Sequence, residues 1–204
     1  MRVWLKETNS QVLVDAAVVP MSPEHIRRAQ AAWGEEFQRR RSAFPGNEDA
    51  MVWTRGVMSD ISLPAITSSN GFVVIYAGEI QGVVLYGEQL QASRRAPLCS
   101  LLYVTYLATA PWNRRTDTSS GRFRQVGRVL VAESVRESVR RGCPGRIGLH
   151  SYPGSSQFYE RFHFECLGAD VARRGMQYFE LRLGAAFHLL SDYGAPPETS
   201  VDNQ

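Results

Sequence analysis

The chain has 204 residues, of which 44% are hydrophobic and 21% charged, and both values are ordinary for a globular protein of one domain. Its net charge of +3 is too small to indicate nucleic-acid binding by itself. Three cysteines without a CxxC pair favour reduced thiols over a disulfide framework or a zinc site. Because we find neither a secretory signal nor an apolar run of membrane-spanning length, we expect a soluble, cytoplasmic protein.

The first part of the chain predicts one strand and one helix. Residues 11–19 (QVLVDAAVV) are typical of an edge strand. Ser22 is a suitable N-cap, Pro23 suits the first helical position, and Glu24 lies in the first turn, so a helix is predicted to begin there. The arginines at 39–41 complement the C-terminal end of its dipole.

The middle of the chain predicts strands. Residues 72–87 (FVVIYAGEIQGVVLYG) are two β-branched and aromatic runs around AGE, a pattern that predicts a hairpin. Residues 96–111 (APLCSLLYVTYLATAP) form a longer apolar run with little alternation, which indicates a central strand buried on both faces. A polar loop (WNRRTDTSSGRF) follows.

A helix is predicted from about Arg124 to a stop at Gly142. The positions predicted to face inward are Val126, Val129, Leu130, Val135 and Val139, and those predicted to face outward are Glu133, Arg136, Glu137 and Arg140.

The last part of the chain predicts a strand (RIGLHSY), a short helix (GSSQFYERF) and a final strand (MQYFELRL). The polar tail, residues 191–204, is expected to be flexible. Interleaved strands and helices indicate an α/β or α+β class with a mixed sheet.

Residues 124–135 (RQVGRVLVAESV) admit two interpretations. One is an ordinary amphipathic helix start in which Gly127 is merely tolerated. The other is an anion site, because the first amides of a helix lack intrahelical partners and a glycine lets a ligand approach the backbone. Arg122, Arg124 and Arg128 add positive charge around the same turn.

Three segments together resemble the GNAT acyltransferase superfamily: LATAPWNR, RQVGRVLVAESVRESVRRG and GRIGLHSYPGSSQFYERFHFE. The pyrophosphate loop of that family reads R/Q-x-x-G-x-G/A. Residues 124–129 match it except at Val129, where glycine or alanine is usual, and Leu130 stands where a leucine is typical. FYERFHFE is similar to the family's FYekxGF segment, with His163 replacing the glycine. The resemblance covers about residues 71–183.

The resemblance implies a mixed, mostly antiparallel sheet flanked by helices, with a splayed central strand, in a single domain over residues 1–190. It also implies acetyl-CoA as acyl donor, with no metal. The pantetheine arm would lie along Leu107, Ala108 and Thr109, and Tyr159 would protonate the departing thiolate. The residues implied to cradle the pyrophosphate are Arg124, Gln125, Val126, Gly127, Arg128 and Val129.

The acceptor implied by the resemblance is a primary amine, and its general base is left unassigned. Many relatives place a glutamate on the central strand, but LCSLLYVTYLAT has no carboxylate, so Tyr103, Thr105 or Tyr106 could position a water instead. His150 and Ser151, at the end of a strand, could face the site and are not assigned a role.

The resemblance does not identify the acceptor or other partners. The acceptor could be a small amine, an amino-acid derivative, an antibiotic, a protein terminus or an aminoacyl-tRNA. The sequence is compatible with a homodimer, and no membrane partner is expected. A second hypothesis is a CoA-binding sensor or interaction module with little catalysis. A third, weaker one is nucleic-acid binding through the surface arginines.

Overall fold

The computed structural model describes residues 1–43, 70–114 and 120–191. Its strands are β1 (Arg2–Glu7), β2 (Leu13–Pro20), β3 (Gly71–Tyr76), β4 (Glu79–Tyr86), β5 (Gln91–Ala92), β6 (Ser100–Thr109), β7 (Phe123–Arg124), β8 (Ile147–Ser151), β9 (Phe164–Asp170) and β10 (Met176–Leu181). Its α-helices are α1 (Pro23–Ala43), α2 (Val126–Arg140), α3 (Ser156–Glu160) and α4 (Leu183–Ser191).

The strands form one sheet in the order β7-β1-β2-β3-β4-β6-β8-β10-β9, and the short β5 pairs with β6. Strands β6 and β8 are paired in parallel, and the other neighbours are antiparallel. The expectation of a mixed, mostly antiparallel sheet flanked by helices is confirmed.

The central strand β6 separates from β8 along its length. Their pairing covers Leu102–Val104, although β6 continues to Thr109 and β8 to Ser151. On its other edge β6 stays paired with β4 as far as Thr109. A gap therefore opens between β6 and β8, and this confirms the predicted splayed central strand.

A bulge in β6 changes which residues face each side of the sheet. Leu85 pairs with Tyr106 and Tyr86 pairs with Val104, so Thr105 is the extra residue. Before the bulge, Val104 packs in the core beneath α2; after it, Leu107 packs against that same core. Without the extra residue these two side chains would point to opposite faces.

Helices cover the two faces of the sheet unequally. Helix α2 packs across β6 and β4 and against α4, over the larger hydrophobic core. Helix α1 covers the opposite face, where Trp33 is buried and its indole N–H donates to the carbonyl of Ile80 (3.2 Å). We call these the α2 face and the α1 face.

Two local predictions are confirmed by the backbone. The Ser22 hydroxyl accepts a hydrogen bond from the amide of His25 (3.3 Å), as an N-cap should. The hairpin turns at Ala77 and Gly78, which both have positive φ (49° and 78°), the geometry that matches the twist of the flanking strands.

Other predictions about elements are wrong or incomplete. Strand β2 is not an edge strand, because β1, which the sequence did not reveal, pairs along it. Strand β9 and helix α4 were also missed. Strand β9 forms a hairpin with β10, and α4 follows β10 directly.

The predicted orientation of α2 is partly wrong. Glu133 and Glu137 are buried (6% and 2% exposed), whereas Val139 is 51% exposed. The carboxylates tolerate burial because arginines on the same helix or just beyond it bond them: Arg136 to Glu133 (3.3 Å), and Arg140 and Arg141 to Glu137 (2.6 Å each).

Some predictions lie outside the described residues. These are the tail after Ser191, most of the RTDTSSG loop, and the side chains of the arginines at 40 and 41.

Candidate active site

A cavity of about 630 Å³ lies on the α2 face, beside the gap between β6 and β8. The end of β6, the segment leading into α2, and α3 supply its wall. Its lining residues are Leu107, Ala108, Thr109, Asn113, Arg114, Ser120, Phe123, Arg124, Gln125, Val126, Gly127, Arg128, Gly154, Ser155, Phe158, Tyr159, Arg161 and Phe162.

The structure brings nearly all the predicted site residues to this one cavity. Residues 107–109, residues 124–128 and Tyr159 all line it. Val129 instead packs in the hydrophobic core beneath α2. The assignment of these residues to a cofactor stays a prediction, but three segments distant in sequence are shown to meet.

The start of α2 has an unusual backbone. Gln125 adopts a left-handed conformation (φ 74°, ψ −6°) as the N-cap, and its side chain makes no capping hydrogen bond. The first amides of α2 therefore receive no bond from the N-cap side chain. A left-handed residue at this point turns the chain abruptly from β7 into the helix.

Gly127 is required by packing in this structure. A Cβ built on it would lie 2.8 Å from two ring carbons of Phe158, and 3.8 Å from the Cγ2 of Thr109. The ideal contact between carbon atoms is about 3.5–4.0 Å. The glycine thus allows α3 to approach α2 at the cavity wall, which the ordinary interpretation of residues 124–135 did not predict.

The rim of the cavity is basic. Arg114, Arg124, Arg128 and Arg161 are among its lining residues. Arg122, in contrast, forms an ion pair with Glu79 (2.6 Å) on the surface. With the positive end of the α2 dipole beside them, the four rim arginines favour an anionic ligand.

Tyr159 is 7% exposed and stands at the cavity among aromatic rings. Phe158, Phe164 and Phe179 pack around it, with ring centroids 5.1–5.9 Å away. Burial raises the pKa of the Tyr159 phenol, and the Arg114 guanidinium partly opposes that shift. The phenol therefore stays protonated at neutral pH and can act as a proton donor.

A buried amide anchors the loop that leads into the cavity. The Oε1 of Gln81 accepts hydrogen bonds from the indole of Trp112 (2.9 Å) and from the Nδ2 of Asn113 (3.0 Å). Asn113 in turn accepts one from the amide of Phe123 (3.1 Å). This chain of hydrogen bonds fixes both ends of the loop, whose middle residues 115–119 lie outside the described ranges.

Three solved structures with a similar architecture are described as acetyltransferases. The PaiA N-acetyltransferase of Thermoplasma acidophilum, in complex with coenzyme A, matches with a TM-score of 0.55 over 83% of this chain and 99% of its own, at 13% identity. A GNAT-family acetyltransferase of Listeria monocytogenes matches with 0.55 over 82% and 94%, at 12% identity. A putative GNAT acetyltransferase of Desulfovibrio desulfuricans matches with 0.52 over 82% and 99%, at 16% identity.

The chain has the GNAT fold. The resemblance seen in the sequence is confirmed at this level. No family model matches the sequence, and no curated protein matches it. The structural likeness therefore establishes the architecture, and the chemistry rests on the residues themselves.

One departure from the GNAT pattern has a clear backbone consequence. His163, which stands where the family has glycine, is in the left-handed region (φ 61°). A glycine would adopt this conformation without strain, whereas a residue with a Cβ does so at a cost of about 1–2 kcal/mol. Histidine thus occupies a backbone conformation that favours glycine.

On the α1 face, a cluster of polar side chains borders the same gap in the GNAT sheet. The ring of His150 bonds the Tyr103 hydroxyl through Nδ1 (2.6 Å) and the Asp170 carboxylate through Nε2 (3.0 Å). Arg94 contacts the same carboxylate (2.5 Å). Ser151, the next residue of β8, points to the opposite face of the sheet. It is buried, and its hydroxyl donates to the carbonyl of Tyr152 (2.8 Å).

Several site residues were not found from the sequence. Phe158 and Arg161 lie within the FYERF segment, where the sequence indicates a helix and a positive charge but not a position in the cavity wall. Arg114 not only lines the cavity but also lies over the ring of Phe37 on α1 (5.7 Å), a contact that only the tertiary fold reveals. Asp170 lies in β9, which was itself missed.

None of the helices in residues 1–43, 70–114 and 120–191 is long and apolar enough to cross a membrane. Over the same part of the chain, no group of three or more metal-ligating side chains comes together.

Proposed function

We propose that the protein is an N-acyltransferase that moves an acetyl group from acetyl-CoA to a primary amine. The observation that carries the proposal is the cavity beside the splayed strand. It combines an open strand edge, a basic helix start and a buried phenol in one continuous wall.

The donor fits the cavity in each of its parts. Beyond Val104 the edge of β6 is no longer paired with β8, so the backbone of residues 107–109 can hydrogen-bond an extended pantetheine arm as a neighbouring strand would. The amides at the start of α2, with Arg124 and Arg128, suit the pyrophosphate. Gly127 keeps a Cβ out of the wall between α2 and α3.

Two groups of the chain would act on the thioester. A backbone N–H of β6 would bind the oxygen that becomes negative when the amine attacks. Tyr159 would give its proton to the sulfur as the carbon–sulfur bond breaks. Burial raises the pKa of this phenol, so it remains a donor throughout the neutral range.

Binding of the donor can be tested by thermal unfolding. Saturating acetyl-CoA, at about 100 times its Kd, should add about 2.7 kcal/mol of stability. For a domain of this size that corresponds to a rise in Tm of about 5–10 °C. Arg124→Ala and Arg128→Ala should reduce the rise. Arg122→Ala is the matched control, since that side chain is paired with Glu79 away from the cavity, and it should not.

Transfer can be tested by the release of free CoA in a panel of primary amines. Tyr159→Phe should lower kcat by about 10²–10⁴-fold while the acetyl-CoA-induced rise in Tm is retained. If neither CoA nor acetyl-CoA raised the Tm of the unmutated protein, the proposed donor would be wrong.

A second candidate is a CoA-binding sensor or interaction module. Val129 in place of a small residue, and the lack of a carboxylate on β6, favour it. Stabilisation by acetyl-CoA without thiol release for any amine would identify this function.

The acceptor remains a class rather than a compound. A small amine, a protein terminus or an aminoacyl-tRNA would each supply the nucleophile. A salt-dependent loss of binding, measured with an RNA acceptor, would single out the last of these.

A further inference from the structure

The proposed transfer requires a group that removes a proton from the acceptor. A primary amine is an ammonium ion at neutral pH, and its nitrogen has no lone pair until that proton leaves. Over the residues of β6 no carboxylate is present to take it. Side chains that border the gap on the side away from the donor cavity can take this role, because an acceptor amine can approach the thioester from there.

Tyr103 and His150 stand at that place. Tyr103 lies in the last stretch of paired residues before β6 and β8 separate, and His150 is one residue beyond the last pair. Both side chains are on the α1 face: Tyr103 packs with Leu101 and Tyr178, whereas its neighbours Leu102 and Val104 belong to the core of the α2 face. The donor cavity and this pair thus lie on opposite sides of one gap.

The hydrogen bonds of the cluster fix the direction in which a proton can move. The Arg94 guanidinium and the His150 ring hold the pKa of the Asp170 carboxyl at about 2, so it is ionised and can only accept hydrogen bonds. The Nε2 of His150 must then carry the hydrogen. In a neutral ring this leaves Nδ1 as the acceptor, and the Tyr103 hydroxyl donates to it (2.6 Å).

The ring is also neutral when the reaction needs it. Burial lowers the pKa of His150 more than the neighbouring Asp170 raises it. The titratable and charged groups that face the ring are Tyr103 from β6, Asp170 from β9, Tyr178 from β10 (ring centroids 4.9 Å apart), Arg94 before β6 and Arg173 after β9.

We propose that Tyr103 and His150 form a proton relay that serves as the general base, with Asp170 holding the imidazole in position. This rests on the proposed function. The ammonium gives one proton to the Tyr103 oxygen, directly or through one water, as the phenolic proton passes to the Nδ1 of His150. The freed lone pair forms the carbon–nitrogen bond, and the carbon–sulfur bond breaks with its electron pair on sulfur.

The remaining protons balance. The sulfur takes the proton of Tyr159, and the second nitrogen proton, released as the amide forms, restores that phenol. His150 gives its extra proton to solvent, which is the one proton the overall reaction releases. Asp170 stays a carboxylate and is a positioning residue.

The relay predicts a separation of kcat from donor binding. Tyr103→Phe removes one oxygen atom and should lower kcat about 10²-fold, with KM for acetyl-CoA unchanged. The matched control is Tyr178→Phe, which removes a hydroxyl from the same aromatic cluster, where it bonds Glu180 (3.0 Å) rather than the ring of His150. This control should keep kcat.

The acidic side of the pH profile supplies a second readout. In the unmutated protein kcat should fall at low pH as His150 becomes protonated, below the ordinary histidine pKa because burial lowers it. His150→Gln should remove this limb, whereas the alkaline dependence due to the amine remains. If Tyr103→Phe does not fold, His150→Gln and Asp170→Asn report on the same relay.

The experiment uses release of free CoA with tyramine, spermidine, glycinamide and Nα-acetyl-lysine as acceptors. Loss of kcat in Tyr103→Phe together with loss of the acidic limb in His150→Gln is the expected result.

An active unmutated protein whose Tyr103→Phe and His150→Gln variants keep its kcat and pH profile would overturn the relay alone. Equal losses in Tyr178→Phe would show that the cluster only supports the fold. Stabilisation by acetyl-CoA with no thiol release would overturn the proposed transfer, and the relay with it.

Discussion

Substitution of Gly127 by alanine tests whether packing or helix propensity dominates at the start of α2. Alanine is favoured over glycine inside a helix by about 1 kcal/mol at most. Its Cβ, however, would lie 2.8 Å from two ring carbons of Phe158, about 1 Å closer than an ideal contact. Overpacking of this kind costs about 1–3 kcal/mol. The half-buried ring can turn a little, so we expect a net destabilisation of about 1 kcal/mol and a Tm lower by about 2–4 °C.

The assay is a double-mutant cycle followed by thermal unfolding. In a Phe158→Ala background the clash is removed, so Gly127→Ala should become neutral or stabilising, with a coupling energy of about 1–2 kcal/mol. Stabilisation by Gly127→Ala in the unmutated protein, or the same effect in both backgrounds, would refute the packing argument. In both backgrounds, acetyl-CoA should stabilise the protein with the Gly127→Ala substitution less than the protein that keeps Gly127, because the added methyl group narrows the cavity.

Substitutions at three further positions test local features. His163→Gly should raise Tm by up to about 4 °C, because glycine relieves the left-handed strain at the price of some chain flexibility, whereas His163→Val should lower it. Glu137→Gln should cost about 1–2 kcal/mol in urea unfolding at neutral pH. The bonds from Arg140 and Arg141 lower the pKa of Glu137 in the folded protein against the opposing effect of burial, so they stabilise the fold above about pH 4.5. The difference in unfolding free energy between the unmutated protein and Glu137→Gln should therefore shrink as the pH falls through the folded pKa. Asn113→Ala should weaken CoA binding in thermal-shift titrations, because the amide of Phe123 loses its acceptor.

The elements that sequence patterns predicted correctly are those whose signal is local. The hairpin of β3 and β4 carries its own turn, and the long apolar run of β6 has burial on both faces. Strand β9 was missed because it follows directly on the FYERF helix without a turn signal, and its residues alternate weakly. The predicted orientation of α2 was wrong at Glu137 and Val139, because periodicity cannot anticipate that arginines at the end of the helix and just beyond it would bond a buried carboxylate.

The candidate site was predictable in part because its segments carry recognisable sequence patterns. The order of three segments placed Gly127 and Tyr159 together, and the fold confirms that they meet. Sequence could not place Phe158 against Gly127, or Asp170 against His150, because these contacts join elements through the tertiary fold alone.

The bulge at Thr105 explains how one strand can serve two kinds of chemistry. With strict alternation, Tyr103 and Leu107 would face the same side of the sheet, since their positions differ by an even number. The extra residue reverses the alternation, so Leu107 faces the donor cavity while Tyr103 faces the opposite side. Because β8 has separated from β6 by this point, no strand among the described residues closes the gap between the two sides. A thioester held on the α2 face is then open to a nucleophile arriving from the α1 face, where the hydroxyl of Tyr103 and the ring of His150 lie.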